Sequence, residues 1–232
     1  MMRRSILLVA LYGLVAIAFL APMASSTILS ESPDLQLALP MLIQARQALE
    51  EGQFPIRVAP AEGGGVRLAV YQFYSQLPYT LGGLAYWLIT PGNPYAAYRL
   101  TLGILMTFGG FFMCRAAYLL VRNWPAAIVA GVAYVGAPYL LINVHIRPAF
   151  AEAAAQCVIP FTVYCTLRAF ASPHWRHVVS SGVAWSLLAL CHHITLLYTS
   201  LFVMALTLGL GRWSGKTPWR VARVCAGGAA CL

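Results

Sequence analysis

Long apolar runs, separated by short polar connectors, make up most of the chain. Most of them approach the roughly 20 residues that a helix needs to cross a hydrocarbon layer about 30 Å thick. The runs that predict spans are 5–24, 100–121, 126–142, 149–167, 178–190 and 194–210, and another begins near Val221. Strand-like alternation is absent, so the pattern predicts an all-α, polytopic transmembrane helical bundle of about six to seven spans.

The first run opens a three-part organisation. Residues 1–25 are predicted to form the first transmembrane helix, 26–95 a loop on the opposite side of the membrane, and 96–232 the remaining bundle, which ends inside a seventh helix. A cleaved signal peptide is the alternative for the first run. Cleavage after Ala24 would put Pro22 at the minus-three position, where a small residue is expected, so an uncleaved helix is favoured.

The loop after the first span is predicted to contain two helices at the membrane surface. One covers 40–51, with apolar side chains on one face and Gly52 as a left-handed cap. The other covers 71–87, contains Pro78, and precedes a turn at 91–94. It interleaves aromatic with small residues, a composition that suits the level of the lipid headgroups. Helices of this kind lie on a membrane rather than cross it.

The composition and charge agree with a lipid environment. Hydrophobic residues make up 60% of the chain and charged residues 9%, with a mean hydropathy of +0.74, whereas soluble domains have about 25% charged residues. The net charge of +9 would suggest nucleic-acid binding in a soluble protein. Here ten of the fifteen cations lie at the ends predicted to be cytoplasmic, and five of the six acids lie in the 26–95 loop. This distribution predicts a cytoplasmic N-terminus and argues against nucleic acid as a partner.

The six cysteines all lie within apolar runs, and no two of them have the spacing of a metal-ligand pair. We interpret them as small buried residues, and predict neither a disulfide framework nor a zinc site. They are Cys114, Cys157, Cys165, Cys191, Cys225 and Cys231.

Asp34 is the only aspartate, and it lies ten residues after Ala24, at the predicted outer membrane surface. A carboxylate in this place is accessible to a lipid-linked substrate. It can act as a general base toward a hydroxyl or an amine, or hold a divalent cation such as Mg²⁺ or Mn²⁺ beside a phosphate. The alternative is a favourable charge in the first turn of a helix capped by Ser32.

A polar segment at 143–152 joins two apolar runs on the same predicted outer side as Asp34. Pro148 suits the first position of a helix, whose free amides would form a candidate phosphate site together with Arg147 and His145. Glu152 would lie close to the first turn and need a partner or water. In the alternative interpretation, Arg147 extends to lipid headgroups and Glu152 pairs with it.

Two further groups of polar residues lie on the predicted outer side. His192 and His193 are adjacent, so on a helix they differ by about 100° in direction and cannot both bind one metal. His192 could donate to a phosphate or a sugar, or be a capped and solvated histidine. Arg57, Arg67 and Arg99 depart from the charge bias. They therefore suggest an anionic ligand, although each could be a solvated surface residue.

Taken in order, five segments form a recognisable set. They are Asp34 after the first span, 52–60, 73–79, 147–152 and 190–192. Together they resemble the bacterial membrane proteins labelled 6-pyruvoyl-tetrahydropterin synthase-related. The architecture resembles the wider GT-C superfamily of glycosyltransferases that use polyprenyl-phosphate-linked sugars. The resemblance extends over about residues 1–193, and it depends on the order of the segments rather than on any one of them.

The resemblance implies a GT-C-like fold whose first extracytoplasmic loop carries an acidic catalytic residue and two membrane-parallel helices. Asp34 would by position be that residue. Arg147 and Glu152 would handle the lipid phosphate or the acceptor from the second outer loop, and Arg57 would lie near the interface. The chain would correspond to the N-terminal module of such an enzyme.

The expected function is therefore glycosyl transfer from a polyprenyl-phosphate donor to a cell-envelope acceptor, at the extracytoplasmic face of a bacterial cytoplasmic membrane. Expected partners are membrane lipid, the lipid-linked sugar, and either other membrane proteins or a C-terminal half. A non-catalytic scaffold or lipid-binding subunit is the first alternative. A transporter is the second alternative. It ranks lower because charged residues near the middle of the bilayer, which a transport path would need, are scarce, and Arg115 is the main candidate.

Overall fold

The computed structural model describes residues 2–24, 33–61, 66–172 and 174–214, which are mostly helical. Within these ranges the single β contact is an isolated bridge between Ala59 and Leu68. The helices are α1 (Met2–Leu20, extended by a 3-10 turn at Ala21–Ala24), α2 (Pro33–Glu50), α3 (Val70–Phe73), α4 (Gln76–Leu88), α5 (Pro94–Val121), α6 (Trp124–Val135), α7 (Pro138–Leu141, continued by a π-helical turn at Ile142–Ile146), α8 (Phe150–Ala171), α9 (Trp175–Cys191) and α10 (His193–Ser214). The prediction of an all-α fold is confirmed for this part of the chain.

Several helices are apolar enough to cross a membrane. Among the described residues, five stretches have the necessary length and composition: Arg3–Ala24, Pro94–Val121, Trp124–Ile146, Phe150–Ala171 and His193–Leu210. Helix α9 corresponds to the predicted span 178–190. It has 17 residues and is therefore shorter than each of these five stretches. The span predicted near Val221 lies outside the described residues. A total of six to seven spans therefore stays a prediction.

Small residues allow the helices to approach closely. Helix α8 is the most enclosed of the apolar helices and packs against both α5 and α9. Tyr12 of α1 is fully buried and donates a hydrogen bond to the Ile128 carbonyl at 3.1 Å. A Cβ atom on Gly131 would lie 2.3 Å from the Tyr12 hydroxyl oxygen. Small residues at helix contacts are typical of membrane proteins, and here glycine makes room for the Tyr12 side chain between α1 and α6.

The helices of that loop differ from the prediction in their bounds and contacts. Helix α2 begins at Pro33, so the predicted start at residue 40 is wrong. Its apolar face was expected to contact the membrane, but Leu42 and Ala45 are fully buried by α4. A Cβ atom on Gly83 of α4 would lie only 3.0 Å from the Cβ atom of Ala45. Gly52 has the predicted left-handed backbone, with φ of 84°.

The predicted helix over 71–87 consists of two helices, α3 and α4. Ser75 separates them in the left-handed region, with φ of 54°. The Tyr71 hydroxyl donates a hydrogen bond to the Met41 carbonyl, which attaches α3 to α2. The residues between the two helices, Tyr74 and Ser75, line cavities that belong to the candidate site described below.

The four cysteines within the described residues are Cys114, Cys157, Cys165 and Cys191, and all are buried and unpaired. The interpretation of these four as small core residues is confirmed. Cys225 and Cys231 lie outside the described residues.

Candidate functional site

Three charged side chains, from α2, from the segment after the π-helical turn and from α8, meet at one end of the bundle. The Arg147 Nε atom lies 3.6 Å from Asp34 Oδ2, and the Arg147 Nη1 atom lies 3.4 Å from Glu152 Oε2. One guanidinium thus bridges two carboxylates. We call this end of the bundle the site end, and the opposite end, where Arg4 lies over the ring of Trp124, the amino-terminal end.

The π-helical turn determines where Arg147 lies. Its hydrogen bonds join residues that are further apart in sequence than those of an α-helix. The Arg147 amide donates to the Ile142 carbonyl at 2.9 Å, and the Ala149 amide donates to the Asn143 carbonyl at 2.8 Å. The fully buried Asn143 also accepts a hydrogen bond from Arg147 Nη1 at 3.3 Å. π-Helical turns are frequent at functional sites because they redirect side chains. This one directs a guanidinium toward α2.

The start of α8 differs from the prediction. Pro148 was expected at the first helical position, but the helix begins at Phe150, and Ala149 is its N-cap residue. Glu152 consequently lies in the first turn, where the helix dipole favours a negative charge.

The two carboxylates have different surroundings. The side chain of Glu152 is 13% exposed; it accepts a hydrogen bond from the Tyr139 hydroxyl on one oxygen and contacts Arg147 with the other. That of Asp34 is 44% exposed and has the longer contact with Arg147. Glu152 is therefore held by the protein on both oxygens, whereas Asp34 is the carboxylate that an incoming group can approach.

A small cavity adjoins this cluster, with a volume of about 80 Å³. We call it the Asp34 cavity. Besides the three charged residues it is lined by Leu37, Tyr74, Tyr79, Ala149, Phe150 and His192. The cluster thus has aromatic side chains on its walls, while Asp34 and Arg147 keep 44% and 49% of their side-chain surface exposed.

His192 lines this cavity and lies between α9 and α10. Its Nδ1 atom accepts a hydrogen bond from the Thr195 amide at 3.3 Å and lies 2.9 Å from the Thr195 hydroxyl. Its ring meets that of Tyr74 edge to face, with centroids 6.2 Å apart. Burial lowers the pKa of His192 below its usual value. The imidazole is therefore neutral at pH 7, and with Nδ1 accepting from the backbone, the proton resides on Nε2, which can donate to a ligand.

Two of the residues named from sequence lie elsewhere. His145 does not line the Asp34 cavity, and its ring lies against the backbone of Phe19 in α1. The expected pairing of His145 with Arg147 around one phosphate is therefore not formed. The reason is that side chains two residues apart on a helix do not face each other. Arg57 lines a separate cavity on the other side of Tyr74.

Sequence reasoning missed two contributors, Tyr74 and Tyr139. Tyr139 lies within an apolar run, where a tyrosine is usually an interfacial or core residue, but it is four residues before Asn143 and so shares its helix face. That spacing next to a polar segment was the available signal. Tyr74 was one of many aromatic residues in its segment, and nothing in the sequence distinguished it.

The divalent cation considered beside Asp34 stays a prediction, because Mg²⁺ is often bound through one or two carboxylates together with a substrate phosphate and waters. Among the described residues no three side chains of histidine, cysteine, aspartate or glutamate lie close enough to hold a metal ion. The Arg147 guanidinium occupies the place between the two carboxylates and supplies positive charge at this site.

Comparisons of the chain with models of known families, with curated proteins and with solved structures give no match. The function is accordingly argued from the geometry of the site and from the ordered segments of the sequence.

Proposed function

We propose that the chain carries the site of a membrane glycosyltransferase, which moves a sugar from a polyprenyl-phosphate donor to an acceptor of the cell envelope. The observation that supports this most directly is the contact of Asp34 with Arg147, across more than a hundred residues of sequence, at one end of a set of apolar helices. A reachable carboxylate beside a guanidinium at a lipid surface is what such a transfer requires.

The chemistry follows from the two groups. Asp34 takes the proton of the acceptor hydroxyl, whose oxygen then forms a bond to the anomeric carbon of the sugar. The bond between that carbon and the phosphate oxygen breaks, and the lipid phosphate leaves with the electron pair. Arg147 stabilises the negative charge on the leaving phosphate. Glu152 holds Arg147 in place, and the Nε2 proton of His192 can bind a sugar or phosphate oxygen.

The donor's hydrocarbon chain has a candidate path. A groove of about 690 Å³ lies between α1 and α5, with walls that are mostly aliphatic and small residues. Arg99 lines it and donates a hydrogen bond to the Met23 carbonyl at 2.7 Å. An isoprenoid chain suits such an apolar groove between membrane helices, because it needs no polar partners.

The proposed orientation places the site end outside the cell, facing away from the cytoplasm of a bacterium. It is supported by the sequence, because ten of the fifteen cations fall at the predicted cytoplasmic ends and five of the six acids in the loop that carries Asp34. Lipid-linked sugars that have crossed the membrane would reach the site from this side.

The test is turnover of a fluorescent polyprenyl-phosphate sugar by the protein in proteoliposomes that also contain a cell-envelope extract as acceptor. Asp34→Asn should lower kcat by about 100-fold to 10,000-fold, because general base catalysis is lost. Glu51→Gln is the matched control, since Glu51 is an acid of the same loop that pairs with Arg67 at 3.0 Å. Wild-type protein that forms no product, or an Asp34→Asn variant as active as the control, would contradict the proposal.

The groove between α1 and α5 also favours a second candidate, a lipid-binding subunit without turnover. In that case the labelled lipid would bind equally to wild-type protein and to Asp34→Asn, and neither would form product.

A further inference from the structure

A second polar cavity lies on the other side of Tyr74. We call it the Arg57 cavity, after the residue that lines it together with Gln72, Ser75, Gln76 and His193. Its volume is about 320 Å³, within the range of small-molecule sites. Tyr74 lines both this cavity and the Asp34 cavity, and so forms a shared wall. The two adjacent histidines are divided between them, His192 on one side and His193 on the other.

The Arg57 cavity carries positive charge, and no aspartate or glutamate is among the described residues that line it. Gln53 fixes the backbone of this segment, because its Oε1 accepts hydrogen bonds from the amides of Arg57 and Val58, at 3.3 and 3.1 Å. Arg67, in the same loop, instead pairs with Glu51 at 3.0 Å. An arginine on a backbone held in place, together with a histidine and with no acid among the described lining residues, favours an anion.

Ser75 is a further polar group beside the cavity. The residue is 3% exposed and lines the cavity in a left-handed backbone conformation. Its buried Oγ interacts with Tyr74, which partly offsets the rise that burial causes in the pKa of that tyrosine. It has no well-formed hydrogen-bond partner among the described residues. A hydroxyl group can donate one hydrogen bond and accept two, so a small shift of this side chain toward the cavity would let it bind a ligand oxygen as well.

We propose that the Arg57 cavity binds an anionic, hydroxyl-bearing group, such as a sugar that carries a phosphate or a carboxylate. The guanidinium of Arg57 and the imidazole of His193 bind the anionic group, and Ser75 and Gln72 bind hydroxyl groups.

The place of this group in the reaction rests on the proposed glycosyl transfer. Arg147 serves the phosphate of the donor in the Asp34 cavity, so the group in the Arg57 cavity belongs to the acceptor. The shared wall of Tyr74 then separates the two substrates, and an acceptor hydroxyl reaches Asp34 past the edge of its ring. The acceptor is consequently an acidic saccharide rather than a neutral one.

The binding test uses the purified full chain in detergent, with inorganic phosphate and glucose 6-phosphate as probes and thermal unfolding as the readout. Both probes should raise the unfolding temperature of the wild-type protein and of Asp34→Asn. Arg57→Gln should weaken the apparent affinity for glucose 6-phosphate at least tenfold, and in Arg57→Gln with His193→Gln only the part of the shift that depends on Arg147 should remain. Arg67→Gln, which removes a cation of the same loop, should leave the affinity unchanged.

Ser75→Ala separates a ligand-binding serine from a structural one. Removing a hydroxyl that lacks a good partner should leave the unfolding temperature without probe unchanged or raised. The affinity for glucose 6-phosphate should fall several-fold, and that for inorganic phosphate less. If Ser75→Ala lowers stability and leaves both affinities intact, the serine is structural and the assignment of Ser75 is wrong.

Other outcomes overturn the proposal as a whole. They are no shift in the wild-type protein, or a shift in Arg57→Gln that is as large as in the wild-type protein. Turnover distinguishes this failure from that of the proposed function. Phosphate binding that depends on Arg57, without any turnover, would support the anion site in the Arg57 cavity and contradict the proposed glycosyl transfer. Turnover whose KM for the acceptor is the same in Arg57→Gln contradicts the acceptor assignment alone.

Discussion

The two ends of the bundle differ in ion pairing: among the described residues, arginine–carboxylate pairs are found at the site end, although Arg57 and Arg99 there lack one. At the site end Arg147 contacts two carboxylates, and in the same loop Arg46 pairs with Glu50 at 2.8 Å. At the amino-terminal end Arg115 and Arg168 both reach the hydroxyl of Tyr164, each at 3.3 Å. The described acidic residues all belong to the site end or its loop, and they are Asp34, Glu50, Glu51 and Glu152.

This difference determines what each end can do. An aromatic ring or a hydroxyl group orients a guanidinium but leaves its charge in place, so the amino-terminal end stays positive and suits an anionic lipid surface. Carboxylates neutralise the guanidinium and fix its geometry. At the site end, opposite charges are therefore held in a defined geometry, as a catalytic or binding site needs.

Removal of Arg147 should have the largest effect. Arg147→Gln leaves Glu152, whose side chain is 13% exposed, without its cation and beside Asp34. We expect the free energy of unfolding to fall by about 1–3 kcal/mol, between the effects found for surface and buried ion pairs. Chemical unfolding in detergent measures it, with the exposed Arg67→Gln as control. Equal stability of the two variants would mean that the cluster does not hold α2 and α8 together.

Removal of the Tyr139 hydroxyl should have an intermediate effect. Tyr139→Phe takes one hydrogen-bond donor from Glu152 and leaves the ring in place. A hydrogen bond to a charged group stabilises a folded protein by about 1.5–3 kcal/mol. Because Tyr139 is 52% exposed, we expect its removal to lower the free energy of unfolding by only about 1 kcal/mol. The same unfolding assay applies. A double variant with Glu152→Gln should show less than the sum of the two single losses, because both remove the same contact; additive losses would argue against it.

Removal of Arg168 at the amino-terminal end should have the smallest effect on stability. Arg168→Gln breaks no ion pair among the described residues, where Arg168 contacts Tyr164 and His177. We expect a change within about 0.5 kcal/mol in the same assay, as is usual for exposed positions. A loss as large as that of Arg147→Gln would show that the contrast between the two ends is not one of ion pairing.

The sequence allowed the helices to be predicted well, because a lipid environment forces apolar runs into helices whatever their detailed packing. It did not reveal that α2 begins at Pro33. The polar residues Asp34 and Gln36 there resemble a loop, and only the burial of Leu35 and Ala38 in the fold makes a helix favourable. The break at Ser75 was equally hidden, since a left-handed backbone at a residue other than glycine depends on its surroundings.

The candidate site was predictable in part. Counting spans was enough to place Asp34 and Arg147 on the same side, and the structure brings them into contact. The sequence could not separate His145 from His192 as contributors. Each lies beside a helix end, and the direction of each ring is decided by local hydrogen bonds, such as that between His192 and Thr195.

The π-helical turn at Ile142–Ile146 makes the position of Arg147 depend on the number of residues in this segment as well as on their identity. A π turn holds one residue more than the α-helical turn that would replace it, and each residue of an α-helix adds about 100° of rotation. Deleting one residue here would restore regular winding and swing Arg147 away from Asp34, even if every functional side chain were retained. Relatives of this chain should therefore accept substitutions at the exposed Ile146 far more readily than any insertion or deletion in these five positions.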